Sequence, residues 1–166
     1  MIEYVITIGL ILMLTIILAQ LSQSYIFSMK SHAISINLRE NAEIVEKFIK
    51  KELNRDVVLD SVYKKDTGWV PIDNFESGEI NALYYKTAKS DRSIIYHAFN
   101  FKSDTKKILL RKELVSKISY LGSIGGYEIA AGIKSLYLEK SDKTYKFVVE
   151  LVDNDFIYKK EVLIYK

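Results

Sequence analysis

The chain has no cysteine, so neither a disulfide framework nor a thiolate metal site is open to it, and its stability has to come from packing. It has a single proline, Pro71, and no glycine between Gly9 and Gly68. Nothing in the first third of the sequence therefore punctuates a helix after Gly9. No charged residue falls between Tyr4 and Met29. Nor is there a block of one sign, because 24 basic residues are interleaved with 21 acidic ones for a net charge of +3. That balance supplies no electrostatic footprint for nucleic acid. With 49% hydrophobic and 27% charged residues the composition is not that of a disordered chain, and 166 residues make one compact domain once an apolar terminal segment is set aside.

That terminal segment is the strongest feature present. Ile2 to Ala19 is interrupted only by Glu3, Thr7, Gly9 and Thr15, and about 20 residues at ~1.5 Å each span the hydrocarbon core of a bilayer. A buried core helix is the alternative, and it ordinarily carries more polar interruptions. A cleavable secretory signal needs a basic region before the apolar run and a small-residue cleavage site after it. Here the charge before the run is the acidic Glu3, and the run passes without a break into Gln20-Leu21-Ser22-Gln23-Ser24.

The following segment keeps helical spacing. Ile34, Leu38, Val45, Ile49 and Leu53, with Ala42 and Phe48 beside them, recur near every 3.6 residues, while Arg39, Glu40, Glu43, Glu46, Lys47 and Lys50 fall mostly elsewhere. These patterns predict one helix from about Ile2 to Asn54, roughly 80 Å long. Residues 1–29 form its transmembrane half, and residues 30–56 an amphipathic half with one face suited to a sheet. Residues 57–166 are expected to form an antiparallel β-sheet globular domain, making the whole chain α+β.

Within that domain, short runs rich in Val, Ile, Tyr and Phe are separated by Ser, Asp, Asn and Gly. Strands are predicted near Val57–Tyr63, Ala82–Thr87, Ser93–Phe101, Lys107–Glu113, Ile133–Glu139, Tyr145–Val152 and Phe156–Tyr165. Tyr145, Phe147, Val149 and Leu151 alternate with Lys146, Val148 and Glu150, so one face is buried and one wetted. The last two strands make a hairpin whose inner face is expected to rest on the helix stripe from Ile34 to Leu53. Val115 to Ala131 mixes apolar and breaker residues and reads as a loop with room for a short helix.

Little in the chain suggests chemistry. His32 and His97 have no partner at ligand spacing, and each reads as an ordinary surface or half-buried histidine. Gly122-Ser123-Ile124-Gly125-Gly126 has the glycine content of a phosphate loop without the Lys-Ser or Lys-Thr that follows one. No Gly-x-Ser-x-Gly elbow occurs. No enzyme activity, catalytic residue, cofactor or metal is expected. Lys50-Lys51, Lys106-Lys107 and Lys159-Lys160 lie near aromatic residues and could touch a nucleic acid backbone, but the charged outer faces of a helix and strands are the better account of them. Glu3 stands apart. A carboxylate deep in lipid costs about 2.5–3.5 kcal/mol, so it must stay near the interface, be protonated or be paired.

The opening Met1-Ile2-Glu3-Tyr4-Val5-Ile6-Thr7-Ile8-Gly9-Leu10-Ile11-Leu12 resembles the start of mature type IV pilins and type II secretion pseudopilins, which begin Phe-Thr-Leu-Ile-Glu before an apolar helix. Met1 falls where that family has Leu. The Phe-Thr, the processing-site Gly and the basic leader of the family's precursors are not in this sequence. The order of parts is also similar: a lipid-spanning half-helix, an amphipathic half-helix, then an antiparallel sheet. Phe48 to Asp56 and Ile129 to Tyr137 look like minor subunits related to pseudopilin J, minor pilin W or the competence pseudopilin F. Where many members carry a mid-helix proline, this chain has Gln20.

The resemblance implies a minor pilin or pseudopilin of a type IV pilus, a secretion pseudopilus or a DNA-uptake filament. Its helix would lie in membrane lipid before assembly and pack against other subunits afterwards. A prepilin peptidase and N-terminal methylation are implied if a leader exists; DNA is a further partner some pilin-like proteins handle. Glu3 is the matched filament-assembly residue, which in the family pairs with the N-terminal amine of a neighbouring subunit. All Lys and Arg follow the apolar run, beginning at Lys30, which by the positive-inside rule alone would leave the domain in the cytoplasm. Placement outside the cytoplasm rests on the resemblance. The reading from another class is a single-pass, membrane-anchored binding or sensor domain that does not polymerise.

Overall fold

A computed structural model describes residues 2–53, 57–88, 94–114 and 126–165. The chain divides into two compact units, Met1–Asn37 and Leu38–Lys166. One helix, α1 (Ile2–Leu53), contributes to both. It matches the predicted span as far as Leu53, and Asn54 lies outside the described residues. Beyond its uninterrupted sequence, α1 carries ion pairs one turn apart: Arg39 with Glu43 at 3.2 Å and Glu46 with Lys50 at 2.7 Å. Such exposed pairs add only about 0.3–0.5 kcal/mol each, so what secures this part of α1 is its buried stripe.

That stripe is Leu38, Ala42, Val45, Ile49 and Leu53, each nearly inaccessible. Ile34, predicted to lead it, is half-buried and belongs to the first unit.

The other described residues of the second unit include a short 3-10 helix, Ile72–Asn74, and ten strands: β1 (Val57–Lys64), β2 (Gly68–Pro71), β3 (Ser77–Glu79), β4 (Ala82–Ala88), β5 (Ile94–Lys102), β6 (Lys107–Leu114), β7 (Tyr127–Ala130), β8 (Ile133–Lys140), β9 (Thr144–Asp153) and β10 (Phe156–Tyr165). All described pairings are antiparallel. They form two sheets, a six-stranded one in the order β2-β1-β4-β5-β6-β7 and a four-stranded one in the order β10-β9-β8-β3. Sequence alternation locates strands but does not assign them between sheets.

The seven predicted strands are present with ends shifted by a residue or so, and Ser93, the predicted start of β5, lies outside the described residues. The additional three, β2, β3 and β7, are short and lie at sheet edges. Gly68, Pro71 and Gly78 make β2 and β3 poor strands by propensity. Pairing to β1 and β8 supplies what local preference does not. β7 falls inside the stretch expected to be a loop, where Tyr127–Ala130 pairs with β6; residues 115–125 lie outside the described ones.

The stripe of α1 is shared by both sheets. An apolar gap of about 10 Å³ is bounded by Phe48 and Ile49 of α1, Leu83 and Phe99 of the larger sheet, and Leu136 and Phe147 of the smaller. Such a gap barely admits a water, and its apolar lining would give one no partner. Around this seam lie polar contacts. Glu52 accepts from Tyr85 Oη at 3.3 Å and from Lys112 Nζ at 2.9 Å, and Glu46 meets Lys160 of β10 at 2.6 Å. The hairpin β9–β10 thus does face the helix, as its alternation suggests, but so does the larger sheet.

A bulge between Leu59 and Ser61 sets which residues of β1 take part. Leu59 sits opposite Tyr85 and Val62 opposite Leu83, so residues three apart share the helix-facing side. On the reverse side of the larger sheet runs an aromatic row: Tyr63 against Trp69 at 5.2 Å, Trp69 against Tyr84 at 4.9 Å, and Tyr84 against Tyr96 at 6.3 Å. Burial pushes the Tyr84 hydroxyl up to about 12, with Arg111 opposing and Asp60 adding to the rise.

Ile49→Ala should therefore lower the unfolding free energy by about 2–5 kcal/mol, a cavity cost. Ile44→Ala, at a residue 48% exposed, should change it by less than about 0.5 kcal/mol. Denaturant unfolding of the full chain in detergent, followed through the single Trp69, measures both.

The Glu46 contact also predicts a pH dependence. Hydrogen bonds from Lys160 and then Lys50 hold the Glu46 carboxyl below its ordinary range. Its stabilisation is present above the ordinary glutamate range and is lost as pH falls through the depressed value. The same contact holds Lys160 above its ordinary range, so that share persists until pH rises through the raised lysine value. Glu46→Gln should flatten the loss of stability between about pH 7 and pH 3, as read from denaturation midpoints.

Candidate functional site

The first unit offers one feature with functional content, its exposed apolar surface. Every described residue from Ile2 to Lys30 is exposed, among them Leu10, Leu14, Ile17, Leu21 and Phe27. Isolated exposed apolar side chains are ordinary, whereas a continuous apolar surface marks a lipid or protein contact. This helix is long and apolar enough to cross a bilayer, and none of its most apolar stretch is buried.

The polar groups within that stretch are arranged to suit an apolar setting. Thr7 Oγ1 donates to the backbone oxygen of Glu3 at 2.8 Å, and Thr15 Oγ1 to that of Ile11 at 2.8 Å. Each hydroxyl satisfies its donor on the preceding turn, so the two threonines add little uncompensated polarity to this surface. Gly9 has open space where a side chain would begin. Glu3 lies in the first turn of α1 and is exposed. A carboxylate there is also the favourable sign for a helix N-terminus. Sequence reading identified Glu3 and the apolar run; the threonine back-bonds follow from i to i−4 spacing and were not drawn from it.

The remaining candidates are dispersed. His32 is exposed on α1. His97, on β5, is half-buried, stacked on Tyr85 at 5.1 Å and within 2.9 Å of Thr87 Oγ1. Among the described residues no three His, Asp or Glu side chains come together as a metal site. Of the Gly122–Gly126 segment only Gly126 is described.

Each lysine doublet has at least one member beside a carboxylate: Lys50 with Glu46, Lys107 with Glu128 at 2.7 Å, and Lys159 with Glu150 at 3.3 Å. An open cleft of about 420 Å³ is lined by Lys64, Lys65, Asp66, Glu79, Asn81 and Ser103. Lys64 there is engaged with the Ser77 carbonyl at 3.3 Å and lies over the Phe75 ring. The mixture of signs in this open cleft selects no ligand chemistry.

Comparison with protein-family models, with curated proteins and with solved structures gives no match to this chain.

If the exposed surface meets lipid, a charge at its middle should be costly. Leu12→Arg should weaken membrane integration by about 2.5–3.5 kcal/mol, seen as loss of the full chain from the carbonate-resistant membrane fraction. Ile36→Arg, beyond the apolar run, should leave that fraction unchanged.

Proposed function

We propose that the chain is a structural, non-enzymatic subunit of the type IV pilin and pseudopilin kind, held in the membrane by α1 and drawn from it into a filament. The observation that carries this reading is the continuous helix whose first 29 described residues are all exposed and uncharged but for Glu3 and Lys30. A surface of this kind serves first in lipid and then against apolar helices of neighbouring subunits. The globular domain, outside the cytoplasm, forms the filament's outer layer.

In such a core Glu3 is the residue that sets subunit stagger. A buried carboxylate without a partner is strongly disfavoured, so only an arrangement that brings a cation to it is stable. The N-terminal amine of a neighbouring subunit is that cation. The reading is supported by the order of the parts and by the helix surface.

Glu3→Ala should leave the chain in the membrane fraction while lowering its recovery in sheared filaments at least tenfold, measured by immunoblot of both fractions in cells that assemble them. Normal incorporation of Glu3→Ala would show that the pairing is wrong. A wild-type chain that never leaves the membrane fraction would instead establish an anchored domain that does not polymerise.

A further inference from the structure

The free edge of β10 is self-complementary, and we infer that it pairs with β10 of a second copy of this chain, antiparallel and centred on Lys160. The inference uses residues of the second unit alone and does not depend on the filament reading. β10 is ten residues long, pairs with β9 along its whole length, and has no strand on its other side among the described residues. It contains no proline, glycine or bulge, the devices that commonly blunt an edge.

Charge is the remaining device, and here its placement is directional. Counting outward from Lys160, Lys159 and Glu161 stand one residue away, Tyr158 and Val162 two, Ile157 and Leu163 three, and Phe156 and Ile164 four. In an antiparallel pair centred on Lys160, each residue meets the one at equal distance on the opposite side. Lys159 then faces Glu161 of the second copy, Ile157 faces Leu163, Tyr158 faces Val162 and Phe156 faces Ile164. Centring one residue earlier or later would oppose Lys159 to itself or Glu161 to itself and form no opposite-charge pair, since Glu161 would then face Ile157, or Lys159 face Leu163.

The backbone permits this register. Asp153 and Phe156 flank a two-residue loop in which Asn154 has φ 51°. Residues flanking such a loop form a hydrogen-bonded pair, so alternate positions, 157, 159, 161, 163 and 165, turn their N–H and C=O groups away from β9. Pairing Lys159 with Glu161 and Ile157 with Leu163 brings outward-turned positions together.

The side chains are also available. Those of Lys159 and Glu161 are 64% and 62% exposed despite their contacts with Glu150 and Lys146, and Ile157 and Leu163 are 55% and 46% exposed. At the centre two Lys160 residues would meet. Each is already countered by Glu46 of its own helix at 2.6 Å, which removes the obvious repulsion.

Because the chain has no cysteine, the register can be read by cross-linking the full chain in detergent micelles. Lys160→Cys should form a disulfide dimer under mild oxidation at least tenfold faster than Lys159→Cys or Glu161→Cys, since only position 160 faces itself. Equimolar Ile157→Cys and Leu163→Cys chains should link to each other and not to themselves, a test that leaves the Glu46 contact intact. Lys159→Glu should reduce the dimer fraction severalfold, and adding Glu161→Lys should restore it. Faster linking at 159 or 161, no linking at any position, or a dimer indifferent to Lys159→Glu would overturn the proposal; the last would place association elsewhere on the chain.

Discussion

The second unit depends on one seam, the stripe of Leu38, Ala42, Val45, Ile49 and Leu53 laid against two sheets at once. Each sheet has an inner face of large apolar side chains, including Leu83, Tyr85 and Phe99 on one and Leu136, Phe147 and Val149 on the other. Antiparallel sheets of this size need such a face covered to be stable. One helix face covers both, so the two sheets share a core instead of each having its own. The apolar seam resists rearrangement because its filling is close to complete.

Polar contacts around the seam give it direction. Hydrophobic contact alone would tolerate some rotation or sliding of the helix, since it is non-directional. Glu52 to Lys112 and Tyr85 on one sheet, and Glu46 to Lys160 on the other, are particular pairings with particular geometry. The edge Phe48–Phe99 contact, with centroids 5.5 Å apart at 81°, adds a favoured aromatic arrangement. The bulge at Asp60 then lets β1 present both Leu59 and Val62 to this side while Ser61 turns to the other. Its effect is to reconcile a strand whose sequence does not alternate with a core that requires alternation.

The first unit obeys a different constraint. From Ile2 to Lys30 every described residue is exposed, and the two threonines solve their polarity locally. A single helix can thus carry two kinds of information. Up to about Met29 the composition suits an apolar medium on all sides, and from Leu38 a narrow stripe suits one protein surface.

Elements whose cause is local could be read directly from the residues. The absence of proline and of glycine after Gly9 is enough for an unbroken helix, the period of Leu38 to Leu53 for its buried face, and the alternation of Tyr145 to Leu151 for the inner face of the final hairpin. Glu3 and the apolar run were legible for the same reason, being statements about composition along a few consecutive residues. Features that depend on partners distant in sequence emerged only with the packed fold. Alternation shows that a strand has an inner face but not which sheet it joins, so the division into two sheets appeared only with the pairings. Gly68–Pro71 and Ser77–Glu79 became strands because β1 and β8 offered them hydrogen bonds, against their own propensity. Glu46 looked like one more surface charge until Lys160 was brought to it across more than a hundred residues. The place of β10 at the end of its sheet, among the described residues, is likewise a property of sheet order.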